Sequence, residues 1–310
     1  MSQMTILRVG SRRSPLAQWQ TNYVQRELQK HYPQVQLKVC YIQTRADKNR
    51  DKPLHHFSAG AFTKELDWAL LQKEIDFAVH SLKDLPTTLP PGLKLAAITK
   101  REDARDAFYS PKGLSFAELP RGAVVATGSL RRRAQLLYLR PDLQIVPIRG
   151  NVETRIRKVQ SSFWDGTILA LAGLKRLGFS QKGVEPFSYE EMLPAAGQGS
   201  LAVVCREGEE GLCKLLGCVE ERGAFLATTG ERACLQALGG GCQLPLGVYG
   251  KIEGEELILR GVLLDLEGKE RVYALVSGKA GGAEELGKRL AKELLRKGGE
   301  KIIQSIFEKF

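Results

Sequence analysis

The chain has 310 residues, of which 43% are hydrophobic and 26% charged, and its formal net charge is +11. This length exceeds what one hydrophobic core usually serves, so we expect two or three domains of ordinary globular composition. No apolar run approaches the roughly 18 residues that span a bilayer, and the first residues lack the apolar stretch of a secretory signal. These features exclude a membrane-spanning protein and predict a cytoplasmic one.

Short apolar strand patterns alternate with helical patterns through the first two thirds of the chain. In chain order these are TILRV, SPLAQWQTNYVQRELQKHY, VQLKVCYI, AFTKELDWALLQ, DFAVHSL and LKLAAI, followed after residue 120 by AVVAT, SLRRRAQLLYL, LQIVPI, NVETRIRKVQSSF and TILALAG. The alternation predicts βαβ units and a largely parallel sheet, which binds ligands at the carboxyl ends of its strands. The last ninety residues predict a smaller α+β domain with an antiparallel sheet.

The six cysteines predict reduced thiols, because a large chain without an export signal rarely builds a disulfide framework. The closest pair, Cys213 and Cys218, has no nearby histidine to complete a zinc site. We therefore interpret this pair as small buried apolar residues, and we predict no metal site.

The positive charge is concentrated in one segment. Residues 121–158 hold nine Lys and Arg against two Asp and Glu, a net charge of +7. A basic surface attracts nucleic acid, but charge focused in this way favours a local anion site.

Three strand-to-helix turns carry arginines. The first has Arg12 and Arg13 after a strand, then Ser14 as helix N-cap and Pro15 at the first helical position. The others contain Thr127, Gly128, Ser129 and Arg131 to Arg133, and then Arg149, Asn151 as N-cap and Arg155. A helix N-terminus favours anions, and the guanidinium fork suits carboxylate or phosphate. Solvated surface charges are the alternative; we predict that the turns converge on one polyanionic small molecule.

An acid and a cysteine complete the candidate site. Asp84 follows the strand DFAVHSL beside Lys83, which would hold it ionised. It is either a solvated turn former or a group that moves a proton or stabilises positive charge. His80 alternates into the apolar face, and we interpret it as a satisfied core histidine.

Cys242 follows three glycines in LGGGCQLP and is either inert or, if nearby arginines favour its thiolate, a nucleophile or attachment point.

Several segments together resemble the porphobilinogen deaminase family, in the family's order and across nearly the whole chain. They are RVGSRRSPLAQWQ (8–20), HSLKDLPT (80–87), ATGSLRRRAQL (126–136), IRGNVETRI (148–156), LALAGLKRLG (169–178), LPAAGQGSLAV (193–203) and LGGGCQLPLG (238–247). The resemblance implies a transferase, hydroxymethylbilane synthase, of haem and porphyrin biosynthesis. It joins four porphobilinogen molecules head to tail with loss of ammonia, and water then releases hydroxymethylbilane.

The same resemblance implies the cofactor and the residue roles. A dipyrromethane cofactor is held by a thioether to Cys242, and the glycines let a mobile loop carry the growing chain past one catalytic centre. Asp84 matches the family's catalytic aspartate, placed to assist deamination and to stabilise the azafulvene cation and the pyrrole N–H groups. The cofactor or substrate contacts are Arg12, Ser14, Ser81, Lys83, Thr127, Ser129, Arg131, Arg132, Arg149, Gly150, Arg155, Arg176, Gln198 and Gly199.

The implied fold is α/β with three domains, in which two periplasmic-binding-protein-like domains flank the active cleft and a small C-terminal α+β domain bears the cofactor cysteine. The implied boundaries are 1–100 with 197–218, then 101–196, then 219–310. We expect a monomer that binds porphobilinogen and polypyrrole intermediates but neither nucleic acid nor membranes. The segment FSAGAF departs from the family's pattern, because Ala59 stands where the family has a lysine, while Gly60 and Phe62 match. His55 and His56 lie just before it and are also unusual. These differences put closure of this loop over the cleft in question.

Two other classes of function remain. A solute-binding or effector-sensing protein of the same two-domain shape would use the anion-binding turns but would not need Cys242. A nucleic-acid binder would explain the charge, but no basic platform interleaved with aromatic residues accompanies it. Release of ammonia from porphobilinogen separates the enzyme from both.

Overall fold

The structure is a computed structural model that describes residues 5–44, 63–179, 183–241 and 243–308. These residues form two compact units. Unit 1 contains 5–44, 63–102 and 199–225, and unit 2 contains 103–179, 183–198, 226–241 and 243–308. The three-domain boundaries given above stay a prediction.

The strands are β1 (Thr5–Ser11), β2 (Val35–Tyr41), β3 (Phe77–Ser81), β4 (Leu93–Ile98), β5 (Asp106–Tyr109), β6 (Val124–Ala126), β7 (Gln144–Val146), β8 (Gly166–Ala170), β9 (Val184–Pro186), β10 (Leu201–Arg206), β11 (Leu246–Glu253), β12 (Glu256–Leu264) and β13 (Arg271–Lys279). The α-helices are α1 (Pro15–His31), α2 (Lys64–Leu71), α3 (Leu130–Leu139), α4 (Val152–Gln160), α5 (Leu171–Arg176), α6 (Glu210–Leu216), α7 (Arg222–Ala237), α8 (Ala283–Leu294) and α9 (Glu300–Phe307). Short 3-10 turns cover Leu82–Asp84, Gly217–Val219 and Ala280–Gly282, and a π turn covers Leu295–Gly299.

Unit 1 is built on a five-stranded sheet in the order β2-β1-β3-β10-β4. β1 runs parallel to β2 and β3, as predicted, whereas β10 is antiparallel to β3 and β4. Every residue of β10 is buried. An apolar run without alternation is typical of a strand covered on both faces. The alternation of strand and helix patterns along the chain did not indicate that β10 is antiparallel.

Helices cover both faces of this sheet. The α1 helix buries Val24 and Leu28 against Phe77 on one face, and α2 buries Leu66 and Leu70 with Ala78 on the other. The four-residue spacing within each pair places both residues on one apolar face of their helix. This packing fixes the strand ends that carry the polar turns.

Unit 2 contains a second five-stranded sheet in the order β7-β6-β8-β5-β9. β6 runs parallel to β7 and β8, while β5 is antiparallel to β8 and β9. Its core includes Phe108, Val125, Leu136, Ile168 and Met192. The prediction of a largely parallel sheet therefore missed one antiparallel strand in each unit.

The C-terminal part of unit 2 is an antiparallel sheet in the order β11-β12-β13. Cys234 of α7 and Leu290 of α8 pack in one core with Leu257 and Leu259 of β12. This arrangement confirms the predicted small α+β region with an antiparallel sheet. None of the described helices has the length and apolar character needed to cross a membrane.

Candidate active site

The first basic turn lies at the carboxyl edge of the unit 1 sheet. Because β1 and β3 are parallel, Arg12 and Ser81 emerge at the same edge. Ser14 caps α1, since its hydroxyl accepts a hydrogen bond from the main-chain N–H of Ala17 at 3.3 Å, and Pro15 is the first helical residue. The predicted cap is therefore confirmed.

A pocket opens at this edge of unit 1. The Nε2 of Gln20 donates to the Ser81 hydroxyl at 2.8 Å, which fixes the hydroxyl at the pocket wall. Gln20 was not among the predicted site residues, although a polar residue on the buried stripe of α1 is a signal that it has a partner. The polar residues that line the pocket are Arg12, Ser14, Gln20, His80, Ser81 and Asp84.

Asp84 reaches the pocket from the 3-10 turn Leu82–Asp84 that follows β3. Leu82 is fully buried, and its main-chain N–H donates to the carbonyl of Ser200 at 3.0 Å. Asp84 and Lys83 are half-buried. A carboxylate that lines the same pocket as the guanidinium of Arg12 can contact the cationic part of a ligand while the arginine binds an anionic part.

His80 is buried, as predicted, but it is not the satisfied core residue that we expected. Its Nε2 has no hydrogen-bond partner within the part of the chain that the structure describes. Burial and, to a smaller extent, the positive charge of Arg12 together lower the pKa of His80 to about 4. The side chain therefore lines the pocket as a neutral imidazole at neutral pH.

We expect acid to destabilise the protein through His80. The folded pKa of about 4 lies below the ordinary value of 6.5, so between these values the unfolded chain binds a proton that the folded chain does not. Stability is thus full above pH 6.5 and falls as the pH falls towards 4. Between pH 7 and pH 5 the wild type should lose roughly 2 kcal/mol more than His80→Gln, measured by denaturant unfolding. Equal losses of stability in the wild type and in His80→Gln would exclude His80 as the origin of the acid destabilisation.

The second and third basic turns share one edge of the unit 2 sheet. Because β6 and β7 are parallel, Thr127 and Arg149 follow them at the same edge. Ser129 caps α3 and Asn151 caps α4, each by accepting from the main-chain N–H three residues on, at 3.4 and 2.9 Å. The predicted cap at Asn151 is confirmed, while the convergence of all three turns on one ligand stays a prediction.

Arg131 and Arg132 are not the solvated surface charges of the alternative interpretation. Both are 6% exposed, and both pair with Asp106, which is 0% exposed. The Arg131 Nη1 lies 2.7 Å from Oδ2 of Asp106, and the Arg132 Nη2 lies 2.7 Å from its Oδ1. Burial alone would raise the pKa of Asp106, but the two guanidinium charges outweigh it and hold that pKa well below its usual range.

The remaining predicted cations are half-buried. The Arg155 Nε donates to the carbonyl of Gly150 at 2.8 Å, which folds this side chain back over the turn that begins with Arg149. Arg176 ends α5. Their roles as contacts of an anionic ligand stay a prediction.

Gln198 and Gly199 belong to the turn that precedes β10. The Nε2 of Gln198 donates to the carbonyl of Ala104 at 2.7 Å and to Oδ1 of Asp106 at 2.9 Å. Gly199 has φ +95°, and a Cβ there would lie 2.3 Å from the carbonyl oxygen of Glu102. The backbone therefore requires glycine at 199 whatever contact it makes with a ligand.

Two family models match the chain. "Porphobilinogen deaminase, dipyromethane cofactor binding domain" matches residues 7–214, and "Porphobilinogen deaminase, C-terminal domain" matches residues 225–296. The chain belongs to the porphobilinogen deaminase family. Porphobilinogen deaminase from Carboxydothermus hydrogenoformans is 47% identical over 299 residues, which is 96% of each chain. That from Geobacter sulfurreducens is 45% identical over 304 residues, 98% of this chain and 95% of the other.

Among solved structures, the methionine binding protein MetQ aligns with a TM-score of 0.44 and 16% identity, covering 71% of this chain and 92% of that chain.

The side chains of this porphobilinogen deaminase family member fit a carboxylate-bearing cofactor. In unit 2, two buried guanidinium groups share the single carboxylate of Asp106. A buried excess of positive charge is costly unless an anion balances it. The acetate and propionate groups of a dipyrromethane would supply such anions, and Arg149 and Arg155 add cations at the same sheet edge.

Cys242, the predicted attachment cysteine, lies outside the described residues, as do His55, His56 and the segment 57–62. The residues before Cys242 are described. The α7 helix ends at Ala237, Gly239 has φ +83°, and the main-chain N–H of Gly240 donates to the carbonyl of Leu235 at 2.8 Å. Two of the three glycines thus terminate a helix, a role that sequence analysis did not consider.

Two other cysteines are poorly suited to attachment. Burial raises the pKa of Cys205 and of Cys234 to about 12, so both remain thiols at neutral pH. Cys213 and Cys218 are half-buried rather than buried, and both pack against the apolar core of unit 1.

Proposed function

We propose that this chain is a hydroxymethylbilane synthase. It condenses four molecules of porphobilinogen head to tail, releases ammonia at each step and hydrolyses the product to hydroxymethylbilane in tetrapyrrole biosynthesis. The observation that carries this proposal is the match to relatives named porphobilinogen deaminase over 96–98% of the chain at 45–47% identity. The pocket that contains Arg12, Ser81 and Asp84 supports it.

The cofactor is a dipyrromethane attached to Cys242 by a thioether. When bound, it supplies a covalently held pyrrole to which the next substrate unit is joined. The protein's part is to hold this group by its carboxylates, which is the task of Arg131, Arg132, Arg149 and Arg155. The remaining contacts with the cofactor or substrate come from Thr127, Ser129, Gly150, Arg176, Gln198 and Gly199.

Asp84 is the catalytic aspartate. Its carboxylate stabilises the positive charge that develops on the substrate as ammonia leaves, and it accepts hydrogen bonds from pyrrole N–H groups. Arg12 and Lys83 bind the substrate carboxylates, while Ser14 and Ser81 donate or accept hydrogen bonds at the pocket wall. The carboxylate of Asp84 can thus bind the positively charged part of the substrate while Arg12 and Lys83 bind its carboxylates.

The protein acts as a cytoplasmic monomer without nucleic-acid or membrane partners. Its domains are residues 1–100 with 197–218, residues 101–196, and residues 219–310, which carry the attachment cysteine. The basic segment 121–158 binds the polycarboxylate ligand instead of phosphate on a nucleic acid.

Incubation with porphobilinogen tests this function. We expect steady release of ammonia and formation of hydroxymethylbilane, with one ammonia for each porphobilinogen consumed. Saturable binding without ammonia release would instead indicate an effector-binding protein. Strongly salt-dependent affinity for random DNA without turnover would indicate a nucleic-acid binder.

A further inference from the structure

One buried carboxylate in unit 2 joins three of the proposed ligand contacts. Asp106 begins β5, and its Oδ1 accepts from Arg132 Nε at 3.1 Å, from Arg132 Nη2 at 2.7 Å and from Gln198 Nε2 at 2.9 Å. Its Oδ2 lies 2.7 Å from Arg131 Nη1. Arg131, Arg132 and Gln198 come from two segments of chain far apart in sequence, so Asp106 is what holds their polar ends at one point.

The strand that carries Asp106 is itself fixed. Asp106 pairs with Ala170 of β8 in the sheet, and its carbonyl accepts from the main-chain N–H of Phe187 at 3.0 Å. Arg132 Nη1 also donates to the carbonyl of Ile168 at 2.9 Å, and Arg131 Nη1 to that of Leu193 at 2.7 Å. Each guanidinium is therefore held by a carboxylate on one side and a carbonyl on another, which restricts its rotation.

The charges in this cluster do not balance. Two guanidinium groups and one carboxylate leave an excess of one positive charge among residues that are at most 6% exposed. A cluster built only for stability has no reason to keep this excess, because apolar residues of similar volume are often as stabilising. An anionic ligand group beside the cluster would complete it.

We propose that Asp106 is a positioning residue for the cofactor: it orients Arg131, Arg132 and Gln198 so that they receive a carboxylate of the dipyrromethane. This inference rests on the proposed function. Asp106 touches neither ligand nor substrate and acts only through its three partners. Preorganised donors bind a carboxylate without the cost of ordering long side chains.

The test compares Asp106→Asn with Asp76→Asn. Asp76 is a matched control in unit 1, since its carboxylate also pairs with two arginines, Arg8 at 2.7 Å and Arg206 at 3.7 Å, and none of the three is a proposed ligand contact. For each variant, intact mass gives the fraction of chains that carry the pyrrole adduct, and thermal unfolding gives stability. Wild-type protein from the same preparation is measured alongside.

We expect Asp106→Asn to fold and to lower the adduct-bearing fraction by about tenfold or more, because an amide donates towards a guanidinium where the carboxylate accepted. Asp76→Asn should lose stability and keep its adduct. Normal loading of Asp106→Asn, or losses in both variants that follow stability alone, would overturn the inference. A wild type without adduct or turnover would instead refute the proposed function.

A second variant covers the case in which Asp106→Asn does not fold. Asp106→Glu keeps the charge and moves the carboxylate outward by one methylene. We expect this variant to carry a partial adduct and to show a KM for porphobilinogen raised by about tenfold, with a smaller change in kcat. If Asp106→Glu carries the adduct to the same extent as the wild type and has the same KM, Asp106 is not a positioning residue.

Discussion

Replacing Cys242 with serine is expected to give a folded chain that carries no pyrrole adduct and turns porphobilinogen over at least about a thousand-fold more slowly than the wild type. A serine hydroxyl is a far weaker nucleophile than a thiolate and does not form the thioether. Without the primer, the arginines have no attached carboxylates to hold. Intact mass and ammonia release measure the two effects separately.

The matched control is Cys40→Ser, which changes a half-buried thiol on β2. This variant should keep both the adduct and the turnover. Cys205 and Cys234 cannot replace Cys242, because burial raises the pKa of each to about 12 and leaves them as thiols. A Cys242→Ser protein that still carries the adduct would exclude Cys242 as the attachment residue.

Asp84→Asn is expected to keep the fold and the adduct but to lower kcat by about 100- to 10,000-fold. The amide nearly preserves the shape of the carboxylate and removes its negative charge, so the developing positive charge on the substrate loses its main partner. Because this interaction strengthens in the transition state, KM should change much less than kcat. Single-turnover measurements of ammonia release at several porphobilinogen concentrations separate the effect on the chemical step from the effect on substrate binding.

Glu27→Gln is the control for removing a carboxylate from unit 1. Glu27 pairs with Lys30 on α1 at 2.8 Å and is not among the pocket residues. It should behave as the wild type does. Near-normal kcat in Asp84→Asn, or an equal loss in Glu27→Gln, would remove Asp84 from the proposed mechanism.

Local features of the fold could be predicted from the sequence, whereas the order and direction of strands could not. Ser14 before Pro15, and Asn151 after a strand, marked helix starts because capping depends on residues three or four positions apart. The antiparallel direction of β10 depends on how a distant segment, Leu201–Arg206, returns between β3 and β4. No short-range pattern contains that information.

The candidate site divides in the same way. Strand ends and arginines on short turns indicated Arg12 and Arg149, but nothing local joined Arg131 to Asp106 or Gln198 to either. The one signal was an aspartate at the start of the otherwise apolar strand Asp106–Tyr109, since a buried carboxylate requires partners. For His80, alternation predicted burial correctly, but it could not show that Nε2 is left without a partner among the described residues.

The most direct test of the proposed function is the intact mass of the purified wild-type protein, followed by peptide mapping of any adduct. We expect an excess equal to two linked pyrrole units, located on the peptide that contains Cys242. If the protein is isolated without its cofactor, incubation with porphobilinogen should produce the same excess. An unmodified mass that persists after this incubation, or an adduct on another residue, would contradict the attachment of the cofactor to Cys242.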